Sequence, residues 1–128
     1  MHLERASVMA GSAEQLFLPD HSVDICHARF AYFFAPHCAP GLRELARVMA
    51  PGGTAFIIDN DLENGSFAGW LHRHPAWKDT DPAQVEQFWS QHGFTRTRVA
   101  SEWRFQTRAA LEAVVRLEFG DSLARLED

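Results

Sequence analysis

Basic charge is scarce in this chain, and cysteine is scarcer. Lysine occurs once, at Lys78, and the 12 basic residues face 17 acidic ones, leaving a net charge of −5. Nucleic acid and anionic membrane surfaces both call for a basic face, so neither is an expected partner. Cys26 and Cys38 are the only cysteines in 128 residues, far too few for a small disulfide-stapled scaffold. Reduced thiols in a cytoplasm are the expectation. Long apolar runs are absent as well. The longest aromatic run, Phe30 to Phe34, is much shorter than a bilayer span. Met1 to Arg5 already holds His2, Glu4 and Arg5, so no signal-peptide hydrophobic region is expected to start there. There is no G-x-S-x-G elbow of a serine hydrolase. His72-x-His74 and the upstream His37-Cys38 have no second paired motif at zinc-like spacing, so no metal is expected. No internal repeat or low-complexity tract occurs.

The length suits a single domain, and ten Phe with four Trp supply enough bulk for a core. The most informative stretch runs from Leu42 to Asp61, LRELARVMAPGGTAFIIDND. Leu42, Leu45, Val48 and Met49 recur at helical spacing with Arg43, Glu44 and Arg47 between them, which describes an amphipathic helix. Pro51-Gly52-Gly53 is expected to end it, since proline lacks a donor and glycine accepts left-handed dihedrals. Thr54 to Ile58 then reads as a strand covered on both faces by helices, because no polar residue alternates in it. Asp59, Asn60 and Asp61 stand where that strand leaves the sheet, the side on which open α/β sheets bind ligands.

Elsewhere, Val8-Met9-Ala10 reads as a short strand left by a turn at residues 11–14. Pro19-Asp20-His21-Ser22 is a cluster of turn formers. Val23 to Ala28 is a further strand, and Pro36 and Pro40 forbid one continuous helix from Tyr32 to Met49. Residues 63–80 lose periodicity and read as a long connection of the lid or binding kind, with Trp70, Leu71 and Trp77 demanding burial. Asp81-Pro82 starts a helix with a capping residue and a first-turn proline, and Gly93 stops it. Phe94 to Ser101 alternates as an exposed or edge strand, with Arg96 and Arg98 on one side. Thr107 caps a last helix through Phe119, which Gly120 terminates.

Two blocks carry a family resemblance. The Leu42–Asp61 stretch resembles the segment leading into the fifth strand of class I S-adenosylmethionine-dependent methyltransferases. Ala13 to Phe34, AEQLFLPDHSVDICHARFAYFF, resembles the region around their fourth strand. The blocks stand in the family's order and spacing, and with a fainter likeness to about Phe119 they cover most of the chain. The resemblance implies an α/β fold, a truncated Rossmann-like methyltransferase sheet with flanking helices, forming one incomplete domain over residues 1–128. It implies methyl transfer from S-adenosylmethionine to a small-molecule acceptor.

By the same resemblance, Ser12-Ala13 occupies the turn that holds the adenine, and Ala28, Arg29 and Phe30 lie where the backbone passes the ribose and methionine. Arg29 also suits bidentate pairing with a carboxylate, or a surface salt bridge. His27, in a mostly apolar strand, suits either a hydrogen-bonded core position or a base. The aromatics Phe30, Tyr32, Phe33 and Phe34 suit a pocket lining or plain packing. Tyr32, Asp59 and Asn60 are the candidate substrate contacts. Methyl transfer from a sulfonium is an in-line displacement in which alignment supplies much of the acceleration, so a base is needed only where the acceptor loses a proton. Asp59, His27 and Tyr32 are candidates for that role, and none is identified as catalytic.

The chain departs from the family in two places. No glycine-rich turn of the kind that admits the cofactor's methionine end occurs in it, and no acidic residue for the ribose hydroxyls is found. In the family the first strand lies beside the fourth, so its absence implies an exposed central edge. Three expectations follow: a methyltransferase segment whose cofactor binding is weak or absent alone and needs a missing N-terminal half, a non-catalytic homodimer that pairs exposed strands, or a truncated fragment.

Overall fold

The structure, a computed structural model, describes residues 4–31 and 35–121. It contains a two-stranded parallel sheet and four helices in two compact units, residues 1–59 and 60–128. The first unit holds β1 (Val23–Arg29), α1 (Ala39–Val48) and β2 (Met49–Ile58). The second holds α2 (Gly65–Arg73), α3 (Pro82–Gln91) and α4 (Arg108–Phe119). The expected α/β class is present. Among the described residues the sheet is one parallel pair and not a full Rossmann sheet.

α1 is the amphipathic helix that the spacing predicts. Leu42, Leu45 and Val48 are buried, Val48 to 2 % exposure, and Pro40 sits in the first turn, where a missing N–H costs nothing. A ten-residue helix is marginal alone. Burying three such side chains, each worth about 2 kcal/mol, is what holds it.

No turn separates α1 from the next strand. Met49 leaves the helix directly into extended backbone (φ −68°, ψ 129°), while its N–H still bonds Leu45. Strand pairing begins at once, with Val23 opposite Met49. The next partners are Ile25 and Thr54, so β2 carries its surplus residues as a bulge at Ala50–Gly53. The Pro-Gly-Gly segment is therefore a bulge inside β2, a correction to the expected helix-ending turn. Gly52 supplies a φ of +77°, and Gly53 lies so close to the Asp24 carbonyl that a Cβ would be 2.9 Å from it.

The orphaned carbonyls at the end of α1 are met by the turn cluster before β1. His21 N–H donates to Arg47 O (3.0 Å), and Ser22 N–H donates to Val48 O (2.8 Å). From Ile25–Thr54 onward the strands run in register, His27 beside Phe56 and Ala28 beside Ile57. Val23–Ala28 and Thr54–Ile58 are thus parallel neighbours, as the two blocks imply.

Among the described residues of the first unit the sheet is covered on one face only, contrary to the expectation of helices on both. Cys26, Ala28, Ala55 and Ile57 share the covered face. On the other, Ile25 is 69 % exposed, Phe56 54 % and Ile58 42 %. The uninterrupted apolar letters of β2 come from a strand with one face in solvent.

In the second unit, α3 and α4 start as their caps predict. The Asp81 carboxylate accepts from Ala83 N–H (2.9 Å), and Thr107 Oγ1 accepts from Ala110 N–H (3.2 Å). Gly93 and Gly120 close them at positive φ. Leu71, Val115 and Phe119 form the core, with Phe67, Trp70 and Trp77 packed on it. Three readings need correction here and in the first unit. Residues 65–73, expected to be a connection, are α2, because Phe67, Ala68 and Leu71 fall on one helical face and two of them are buried. Phe94–Ser101 is no strand: Arg96 pairs with Glu86 (2.9 Å), and Arg98 pairs with Asp61 (3.2 Å) and Glu63. Val8–Ala10 is no strand either, since no neighbour among the described residues meets its backbone, and Val8 is fully exposed.

Candidate functional site

The first unit contains an open cleft of about 580 Å³, within the range of small-molecule sites. Consecutive residues of β1 from both faces of the pleat, Ile25 to Arg29, line it. Leu45 and Val48 of α1 contribute apolar surface, and the segment before β1 contributes Ala13, Leu16 and Leu18. His27 and Arg29 stand on it, and the Cys26 thiol also belongs to its lining.

One arginine fixes that leading segment. Arg47 Nη1 donates to Leu18 O (2.9 Å) and to Asp20 Oδ1 (2.7 Å), while Nη2 donates to Leu16 O (3.0 Å) and Glu44 Oε1 (2.6 Å). Nε donates to Glu44 Oε2 (2.9 Å), and Leu16 N–H donates to Glu44 Oε1 (2.9 Å). A planar fork of donors suits such a junction, which an ammonium would not fill. The bond from Arg47, followed by that from Leu16, holds the Glu44 carboxyl down to about 2, and the reciprocal bonds raise the Arg47 guanidinium. The pair therefore stays ionised throughout the neutral range. In sequence, Glu44 and Arg47 look like the solvent face of α1. Their three-residue spacing was visible, but partners some thirty residues upstream were not.

The cofactor residues implied by the resemblance are partly brought together. Ala13, Ala28 and Arg29 all line the cleft. Ser12 and Phe30 are their chain neighbours. Ser12 lies in a tight turn, where its carbonyl accepts from Gln15 N–H (3.0 Å) and its hydroxyl from Glu14 N–H (3.2 Å). Phe30 sits just past β1 at φ +52°, an uncommon backbone for an aromatic residue. Its N–H donates to Ile58 O (2.8 Å), and the Arg29 guanidinium stands 5.4 Å from its ring centroid.

The other candidates fall differently. His27 is exposed on the uncovered face, so it does not take the core position. Tyr32, with Phe33 and Phe34, lies outside the described residues. Asp59 ends the first unit and Asn60 begins the second. Asp61 serves structure: it accepts from the N–H groups of Glu63 (2.8 Å) and Asn64 (3.3 Å) and from Asn64 Nδ2 (2.9 Å). Desolvation pushes its carboxyl upward, but these bonds and Arg98 prevail and hold it below the ordinary value.

Neither thiol is an activated nucleophile. Burial raises Cys26 above 9.0, and burial with the charge of Asp59 raises Cys38 despite an opposing backbone hydrogen bond. His72 Nε2 lies 2.7 Å from Leu62 O, and His74 Nδ1 accepts from Ala76 N–H (3.1 Å), so each imidazole has a local structural role. Among the described residues, no group of three His, Cys, Asp or Glu side chains is arranged to hold a metal ion. No helix among them is long and apolar enough to cross a membrane.

Residues 2–57 match the family model described as a methyltransferase domain. No curated protein and no solved structure matches the chain. The match takes in β1 and α1, which line the cleft, and nearly all of β2, which pairs with β1. The segment from residue 2 to residue 57 is thus similar to a methyltransferase domain.

Proposed function

We propose that the chain carries one half of an S-adenosylmethionine site and serves methyl transfer to a small acceptor once the other half is supplied, residues 1–128 forming one incomplete, truncated Rossmann-like methyltransferase domain. The observation that carries this reading is the parallel β1–β2 pair, whose exit residues Ala28 and Arg29 share a cleft with Ala13. Ligands of open α/β sheets bind beyond the carboxyl ends of such strands. Ser12 and Ala13 would hold the adenine edge and Phe30 the ribose side, while Tyr32, Asp59 and Asn60 are the proposed acceptor contacts. No glycine-rich turn exists in the sequence to seat the methionine end. Binding by the chain alone is accordingly weak, at about millimolar level. The unpaired thiols of Cys26 and Cys38 suit a reducing cytoplasm.

Titration of the isotope-labelled chain with S-adenosylhomocysteine tests this. Saturable amide shifts confined to Ser12, Ala13 and Ala28–Phe30 are expected. Shifts confined to the second unit, or none at millimolar ligand, refute the reading. Tight binding by the chain alone would show that the half-site needs no complement.

One observation favours a second reading, a dimerising module without catalysis. The uncovered face carries Ile25, Phe56 and Ile58 in solvent, and apolar side chains clustered on one face mark interaction sites. Light scattering after size exclusion separates the two readings: a monomer at all concentrations excludes the dimer.

A further inference from the structure

Between Gly11 and Leu18 the chain makes no backbone-to-backbone bond with α1, β1 or β2 among the described residues. Its one such bond is internal, from Gln15 N–H to Ser12 O, and closes a small turn. The bonds that tie this stretch to α1 all use the side chains of Glu44 and Arg47. Glu44 Oε1 accepts from Leu16 N–H, and Arg47 donates to Leu16 O and Leu18 O. Apolar burial adds little, since Leu16 and Leu18 are half-buried and Phe17 is 70 % exposed. Segments with few buried contacts occupy the low-stability end of a structure.

Just downstream the chain is pinned. His21, at φ +54°, donates from its N–H to Arg47 O (3.0 Å), and Ser22 N–H donates to Val48 O (2.8 Å). Ser22 Oγ also donates to Pro19 O (2.7 Å). A stretch held by two side chains therefore meets a base fixed by main-chain bonds at Pro19–Ser22. The stretch is also part of the 580 Å³ cleft: Ala13, Leu16 and Leu18 line it together with Cys26 and Ala28 of the covered sheet face. Displacing the stretch takes that lining away and opens the cleft beside the Cys26 thiol.

We propose that residues 11–18 are a strap on the cleft, latched by Glu44 and Arg47 and hinged at Pro19–Ser22, which swings open while α1, β1 and β2 stay folded. One guanidinium carries both carbonyl ties, so a single change releases them together. Opening admits a small molecule to the cleft. A molecule seated against Ala13, Leu16 and Leu18 in turn holds the strap closed, because binding and closure favour each other reciprocally. Methyl transfer is not a premise: the opening is read without ligand, so it can be found while S-adenosylhomocysteine fails to bind, and the reverse.

Hydrogen exchange on the unaltered, isotope-labelled chain, followed through low concentrations of urea, tests the strap. The Leu16 amide, bonded to Glu44, is expected to exchange about tenfold faster than the Phe30 amide, bonded to Ile58 O, and with a much shallower urea dependence. Arg47→Lys keeps the charge but loses the planar fork. In that variant Leu16 should approach the rate of an unstructured amide, while Ser22 and Phe30 keep about tenfold protection or more. Iodoacetamide labelling, located by peptide mass, should rise about fivefold at Cys26 relative to Cys38, which is not among the residues lining the cleft. Three results overturn the proposal. The first is Leu16 exchange with the rate and urea dependence of Phe30, which makes the strap part of the folded core. The second is a variant in which Leu16, Ser22 and Phe30 lose protection together. The third is an unchanged ratio of Cys26 to Cys38 labelling, which would mean that the strap does not gate the cleft.

Discussion

Replacing Gly53 by alanine should loosen the junction on which the first unit depends. The added methyl would lie 2.8 Å from Met49 Cε, 2.9 Å from Ala50 O and 2.9 Å from Asp24 O. The Met49 terminus is flexible and can turn away. The two carbonyls cannot, because one belongs to the bulge and the other to β1. Overpacking a methyl typically costs about 1–3 kcal/mol, and with two backbone oxygens in the way about 3 kcal/mol is expected. Gly52→Ala is the internal comparison. No atom lies within 4 Å of its Cβ position, so only the left-handed backbone at φ +77° is strained, at about 1–2 kcal/mol. Gly69→Ala, inside α2 and equally unobstructed, should stabilise the second unit by about 0.5–1 kcal/mol. Denaturant titration followed by far-UV circular dichroism, with amide exchange at β1 and β2, reads these changes. Tryptophan emission does not suffice, because Trp70, Trp77, Trp89 and Trp103 all lie in the second unit. A Gly53→Ala protein as stable as the parent, or one that loses less than Gly52→Ala, would refute the close approach of β1 and the bulge.

The Glu44 carboxyl titrates near 2 when folded, against an ordinary value of 4.5. The unfolded chain thus takes up a proton before the folded one does. The stabilisation from ionised Glu44 is complete above about pH 4.5 and is lost as pH falls towards about 2. Glu44→Gln should lower the denaturation midpoint of the first unit at neutral pH and flatten its decline through that acid window. A variant with the parent's acid profile would show that the Arg47 junction does not govern it. In the second unit, Asp81→Ala removes the side-chain acceptor for Ala83 N–H and should cost about 1 kcal/mol in urea titrations followed by tryptophan emission, with no change expected in amide exchange at β1.

Much of the fold was legible where local chemistry and tertiary context agree. Leu42, Leu45 and Val48 announce the buried face of α1, and Asp81-Pro82 and Thr107 announce the starts of α3 and α4. The parallel pairing of β1 and β2 came through the order and spacing of two blocks, since no local pattern encodes a partner. Where the readings failed, a missing or distant partner is the reason. Val8–Ala10 and Phe94–Ser101 have strand-like letters, but a strand exists only when a neighbour meets its backbone. Gly65 and Gly69 hid α2, although Phe67, Ala68 and Leu71 already share one face. Pro51-Gly52-Gly53 fits a helix stop and a bulge equally well by composition. Only the Val23–Met49 pairing decides for the bulge.

The candidate site was less legible. The alanines and Arg29 at the strand exit were picked out, and the cleft does gather Ala13, Ala28 and Arg29. Arg47, which holds the segment carrying Leu16 and Leu18, was invisible because its acceptors include main-chain carbonyls far upstream. Asp61 belongs by sequence to the polar strand tip, yet its oxygens are occupied by Glu63, Asn64 and Arg98.

The parallel β1–β2 pair underlies both the half-site and the strap's cleft, and nuclear Overhauser contacts between the strands test it most directly. Cross-strand contacts linking Cys26 with Ala55, His27 with Phe56 and Ala28 with Ile57, all advancing in the same direction, are the predicted result. Contacts that run in opposite directions along the two strands, or none between them, would contradict the account.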